Sequence, residues 1–195
     1  MLNSPFAILF LAIQNRIGAI LDGSNNPIFT FINQDLGQLE DASKGINRPP
    51  VSWPCALIDI DDSNYKQLGE NTQNGSVNIC IRIGFPPFSS TEIKVPAAYR
   101  NKALYYYDLE YAVVKALHGW SPGVTVIDSN GPVTADLSDI FGHLIRVRVT
   151  KEDRNDLLRV RCIYLTLSMD DHSTQDQITL VPATLNLTAD IVIPT

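Results

Sequence analysis

The sequence predicts an α+β domain: an antiparallel or mixed β-sheet with two α-helices packed on it. Three observations carry that expectation. Two stretches place apolar residues at three- and four-residue steps, the spacing of one helix face. Other runs alternate at period two or are almost wholly apolar, as strands are. The order is helix, strands, helix, strands, rather than the strict βαβ alternation of a parallel sheet. At 195 residues the chain has the length of one domain and can bury a core without disulfides or metal.

The first helix is expected over about Ser4 to Leu21, with Ser4 as cap, Pro5 at the first helical position and Asp22-Gly23 as its end. Phe6, Leu9, Phe10, Ile13, Ile17 and Ile20 form its stripe. Pro27 to Ile32 reads as a strand. Asn33 to Pro50 is polar, and Arg48-Pro49-Pro50 is extended. Cys55 to Ile60 is nearly all apolar, which predicts a central strand. Tyr65 to Leu68 reads as a short strand before a polar turn at Glu70 to Gly75. The cleanest alternation follows: Val77, Ile79, Ile81, Ile83 and Phe85 on one face, Asn78, Cys80 and Arg82 on the other. Phe85 to Tyr99 is loop. Lys102 to Leu117 is the second helix, its stripe made of Tyr105, Leu109, Ala112, Val113, Ala116 and Leu117. After an irregular stretch, Leu144 to Thr150 and Leu157 to Met169 predict a hairpin with a charged tip, Lys151 to Asp156. Gln177 to Val181 and Thr184 to Ile193 are the last strand-like runs. Residues 1–169 therefore form one domain, and 170–195 a β extension or arm.

Apolar residues make up 45% and charged residues 18%, which excludes compositional disorder for most of the chain. A net charge of -6 argues against a dedicated nucleic-acid binder, although an acidic wall would let a strand slide past without gripping it. Cys55, Cys80 and Cys162 each sit in apolar runs, with no C-x-x-C, and read as buried free thiols. The apolar stretch Phe6 to Ile13 is too short to span a bilayer, and Met1 to Pro5 lacks a positive leader region. The expectation is a soluble protein, intracellular when made.

Catalytic chemistry finds no foothold. His118, His143 and His172 stand apart from one another and from cysteine, and His118 falls in the last helical turn, where structural histidines are common. Asp59, Asp61, Ser63, Tyr65, Gln67 and Glu70 mimic the ligand positions of a calcium loop. The match fails because Asn64 replaces the turn glycine and Lys66 the apolar residue, so a solvated turn between strands is expected. Asp170-Asp171-His172 reads as a polar loop. No phosphate loop, G-x-S-x-G or H-E-x-x-H occurs. No enzyme activity, cofactor or metal is expected.

One surface pattern stands out. Arg146 and Arg148 would share one strand face of the hairpin, and Arg159 and Arg161 one face of its partner strand. Such a cluster needs acidic groups or a partner chain to meet it, or else it is a solvated face. These four arginines are the candidate interface residues, and the charged tip beside them suits a projecting loop.

Several segments, in order, resemble the tail-terminator (tail-completion) proteins of tailed phages and prophages of Bacteroidetes-like hosts. They are Asn33-Gln34-Asp35-Leu36-Gly37-Gln38-Leu39, then Arg48 to Asp59 with its proline-flanked approach to a central strand, then Tyr65 to Gly69. Gln73-Asn74-Gly75-Ser76-Val77 and Ala116-Leu117-His118-Gly119-Trp120 complete the series, which covers Met1 to Met169. The resemblance implies a virion structural protein without an active site. Its copies would close into a ring, commonly a hexamer, that caps the tail tube and joins it to the neck and head. It also implies the tail-tube protein and neck or head-completion proteins as partners, with DNA passing through the lumen and no membrane. Synthesis would be in the host cytoplasm and residence in the virion. Another neck, head-completion or minor tail protein is the nearest alternative, and a monomeric binding module with a concave apolar pocket the alternative of another class.

Overall fold

The structure is a computed structural model, and it describes residues 4–40, 49–69, 72–85, 91–122, 126–128, 131–133, 137, 140–154, 156 and 158–171. Helix α1 spans Pro5–Gly18. It leads to strands β1 (Phe31–Gln34), β2 (Cys55–Gln67) and β3 (Gln73–Phe85), and then helix α2 (Ala97–Leu117). A two-stranded hairpin, β4 (Val126–Asp128) and β5 (Gly131–Val133), precedes β6 (Ile145–Lys151) and β7 (Arg159–Asp171). The main sheet has the order β1-β2-β3-β7-β6. Only β1 and β2 run parallel, so the sheet is mixed and the fold α+β, as expected. The runs at 177–181 and 184–193 lie outside the described residues. No helix among those described is long and apolar enough to cross a membrane.

β3 organises the sheet because its period-two pattern gives it two different faces. Val77, Ile79, Ile81, Ile83 and Phe85 are fully buried on one face. They form one core with Leu9, Ile13 and Ile17 of α1, with Leu109, Val113 and Leu117 of α2, and with Ile163, Leu165 and Leu167 of β7. Burying each such side chain contributes about 1.5–3 kcal/mol. The second face holds a smaller cluster: Leu39, Cys55, Leu57, Val160 and Cys162, with Trp53 and Tyr164 packed on it. Gly84 lies against this cluster, where an added Cβ would sit 2.8 Å from Cys55, Leu39 and Trp53.

Several boundaries move. Ser4 occupies the cap position of α1 but makes no side-chain cap bond, and the helix ends at Gly18. Asp22 instead closes the following turn, its Oδ1 accepting the Ser24 and Asn26 N–H groups at 2.7 and 2.9 Å. β1 starts at Phe31, since Pro27 makes only an isolated bridge to Leu21. β2 does not turn at Asp59. It continues to Gln67 through a bulge between Ile60 and Ser63, which absorbs the polar run that resembles a turn. Asp170 and Asp171 likewise lie in β7, opposite Asn74 and Gln73, rather than in a loop. α2 begins at Ala97, and its buried stripe runs through Ala103, Tyr106, Leu109, Val113, Val114 and Leu117. Tyr106, not Tyr105, turns inward, to pack 5.8 Å from Phe85.

Ile81 sits at the centre of this core with no exposed surface. Ile81→Asp would bury an unpaired carboxylate and should abolish cooperative unfolding, whereas Ile81→Ala should cost about 2–5 kcal/mol. Urea titration of both variants checks this. A cooperative, wild-type-like transition in the Asp variant would mean the register is different.

Candidate functional site

The hairpin of β6 and β7 carries the four arginines, and its register separates them. A bulge between Arg146 and Arg148 sets Arg146 opposite Leu165 but Arg148 opposite Tyr164. Those two partners belong to opposite faces of the sheet, so Arg146 and Arg148 do not share one. Inserting one residue into a strand inverts its alternation, which sequence spacing cannot reveal. Arg159 and Arg161 do share a face, opposite Phe85 and Ile83, and that face looks toward α2.

Each arginine has distinct surroundings. The Arg148 guanidinium lies 4.1 Å over the Tyr164 ring and that of Arg159 lies 4.9 Å over Tyr106. Arg161 donates through Nε to Glu110 of α2 at 2.5 Å and lies 5.8 Å from the Tyr107 ring. Aromatic faces and one carboxylate of the same chain thus meet much of the charge. At Arg146 the backbone N–H donates to His118 Nδ1 at 3.1 Å. His118 therefore ties the end of α2 to the start of β6. His143 is exposed, and His172 lies outside the described residues.

The charged tip is divided: Lys151 and Asp153 are exposed, whereas other charged side chains of it turn inward. Arg154 and Asp156 are almost fully buried and paired at 2.7 Å, and Arg154 also reaches Glu152 at 2.9 Å and the Leu39 carbonyl. Glu152 in turn receives Arg82, which reaches out of the centre of β3. Arg82 donates to both Glu152 oxygens at 2.7 and 3.1 Å, to Asp35 at 2.8 Å and to Glu40 at 3.3 Å. Burial alone would lower the Arg82 pKa, yet the bonds to Glu152 and Asp35 push it up, so it stays charged. Burial would raise Glu152, but Arg82 outweighs it and holds that carboxyl below its ordinary range. The Cys162 thiol is pushed up by its hydrogen bond with Cys80, by burial and by Glu152, toward which its Sγ points at 3.2 Å. Burial raises Cys55 to about 11. All three cysteines are free, with Cys80 only half-buried. Arg82 was legible as a charge in a central strand, but its three partners are far away in sequence.

Two further surfaces were not foreseen. Along α2, Leu104, Tyr105, Tyr107 and Tyr111 are exposed, with Tyr99 near its start. Between α1 and the outer part of β2 lies an apolar groove of about 590 Å³, lined by Phe6, Phe10, Leu11, Ile58, Ile60 and Tyr65 among others. Asp59, Asp61 and Ser63 lie on the extended, bulged β2 rather than on a loop that could wrap a cation. No cluster of three metal-ligating side chains occurs among the described residues.

No family model matches the chain, and no curated protein matches it. Among solved structures, the chain is similar to one described as "Virion of native gene transfer agent (GTA) particle", at 11% identity and a TM-score of 0.45. The alignment covers 87% of this chain and 100% of the other. So loose a superposition carries no argument about what this chain does.

The Arg82 cluster predicts a defined pH response. A carboxyl depressed in the folded state, as Glu152 is, stabilises above its unfolded value of about 4.3 and loses that contribution as pH falls through the folded value. Arg82→Met leaves Asp35, Glu40 and Glu152 facing one another and should cost about 3 kcal/mol at pH 7. The deficit relative to wild type should shrink below about pH 4.5, as Glu152 takes up its proton and its pairing with Arg82 is lost. Denaturant titrations at the two pH values measure it, and an equal deficit at both would contradict this account.

Proposed function

We propose that this chain is a virion structural protein, a tail terminator whose copies close into a ring that caps the tail tube and joins it to the neck. It has no catalytic role in this reading, and residence in the virion follows from it. The ordered series of segments from Asn33 to Trp120 that resembles this family is the observation that carries the proposal.

Surface chemistry supports it. Tyrosine and arginine are enriched where proteins bury surface against one another, because each offers large area and a polar end. Here Tyr99, Tyr105, Tyr107 and Tyr111 are exposed along α2, and Arg159 and Arg161 flank Tyr106 and Tyr107 on the adjoining strand. β6 is an edge strand with exposed Ile145 and Val147, which adds an apolar strip beside Arg146 and Arg148. A ring requires two different surfaces that meet head to tail around an axis. The α2 face and the β6 edge are two such surfaces. The four arginines are interface residues in this reading, with Arg146 and Arg148 at the edge and Arg159 and Arg161 beside the tyrosines.

Particles assembled without the chain should show tails that fail to join heads, or tails of uncontrolled length, in negative-stain images. Supplying Arg148→Glu with Arg159→Glu should restore joining poorly while the purified variant still unfolds cooperatively. Its defect should vary with salt, since exposed charge contacts are screened. Normal particles in the absence of the chain would refute the function, and full rescue by the double variant would remove the arginines from the interface.

A further inference from the structure

Cys80 and Cys162 meet on the second face of the sheet, from neighbouring strands. Cys80 of β3 lies opposite Tyr164 of β7, and Arg82 lies opposite Cys162, so the two cysteines are diagonal neighbours. Their sulfurs share a hydrogen bond. Their surroundings differ. Cys162 is buried, and its Sγ also lies 3.2 Å from Glu152 Oε1, the oxygen that receives Arg82 Nε. Cys80 is half-buried, with Asp59 of β2 on its other side.

Two thiols in contact do not ionise alike, because the first thiolate disfavours the second. A thiolate at Cys162 would also meet the ionised Glu152, so Cys162 keeps its proton. Its S–H can then serve the Cys80 sulfur as a donor. That bond, more than the Arg82 charge, holds the Cys80 thiol below its ordinary value against burial, Asp59 and Asp35. Cys55 is the contrast: fully buried, with its Sγ turned to the Gly84 carbonyl and its thiol raised to about 11. The thiolate is the nucleophile, so reactivity concentrates at Cys80. A metal cation is a poor occupant, because Arg82 already holds the carboxylates beside the pair.

We propose that Cys80 and Cys162 form an oxidisable dithiol, in which Cys80 reacts with hydrogen peroxide and Cys162 resolves the product as a cross-strand disulfide. The Cys80 thiolate attacks one peroxide oxygen, the O–O bond breaks, and hydroxide leaves Cys80 as a sulfenic acid. The Cys162 sulfur then attacks the Cys80 sulfur. The S–O bond breaks, and its oxygen departs with the Cys162 proton as water. The two sulfurs give up two electrons, and the peroxide is reduced to one water and one hydroxide. Diagonal neighbours in such a ladder have α-carbons about 7–8 Å apart, beyond the span of most disulfides. Closure therefore shears β3 against β7 and yields a strained bond that thiols reduce readily. Because Arg82 lies opposite Cys162, that shear reaches the Arg82–Glu152 pair. This chemistry is independent of the tail-terminator reading.

Peptide mapping of the full chain after brief exposure to dilute hydrogen peroxide tests it. The wild type should gain a Cys80–Cys162 disulfide within one chain, and dithiothreitol should restore both thiols. Cys55 should stay free. In Cys162→Ser, dimedone should label Cys80, since its sulfenic acid then has no resolving thiol. Cys80→Ser should consume peroxide at least about tenfold more slowly than the wild type. Wild-type thiols that all stay free at a dose that oxidises glutathione would overturn the proposal. So would a disulfide that uses Cys55 or joins two chains, or equal rates for Cys80→Ser and the wild type. Where a variant does not fold, the wild-type mapping alone decides.

Discussion

Arg82 leaves the middle of a central strand and ends among three carboxylates from two separate segments, Asp35 and Glu40 in one and Glu152 in the other. Much of the second face of the sheet depends on that arrangement. A guanidinium only 13% exposed needs its charge met, and the fork of donors can hold several oxygens at once. Meeting it draws in the loop after β1 and Glu152 at the end of β6. Both then roof the small apolar cluster around Leu39, Cys55 and Cys162. The opposite face of the same strand needs no such device, because its isoleucines simply pack against two helices. β3 is thus closed by burial on one side and by ion pairing on the other.

This division explains which parts of the fold were legible in the sequence. The isoleucine alternation announces β3 and its helix-facing side, because burial and period two leave a direct trace. The charged tip misleads, since Glu152, Arg154 and Asp156 look solvated until Arg82 is placed beneath them. β2 is longer than it reads, since a bulge carries Asp61 and Asp62 through a strand whose polar stretch resembles a turn. A second bulge undoes the shared face expected of Arg146 and Arg148. In α2 the choice between Tyr105 and Tyr106 rests on a neighbour, Phe85, that no local pattern contains. Local periodicity is written in the sequence, whereas bulges and distant charge partners are properties of the assembled sheet.

The candidate surfaces follow from the same construction. Because α2 buries only one side, Tyr99, Tyr105, Tyr107 and Tyr111 remain outward while Tyr106 turns in. Because β6 ends the sheet, Ile145 and Val147 stay exposed beside two arginines. The chain thereby presents a helical aromatic face and a strand edge, with the groove by α1 as a third feature. His118 accepts a backbone N–H, and burial together with neighbouring groups raises the Cys55 and Cys162 thiols.

Self-association is the claim on which the functional account stands. Sedimentation velocity of the full chain, alone and with the tail-tube protein from the same particle, measures it most directly. The account predicts a discrete species at a closed multiple of the 21.6 kDa chain, free or on the tube. A chain that sediments as a monomer at every concentration, with the tube protein present or absent, would contradict it.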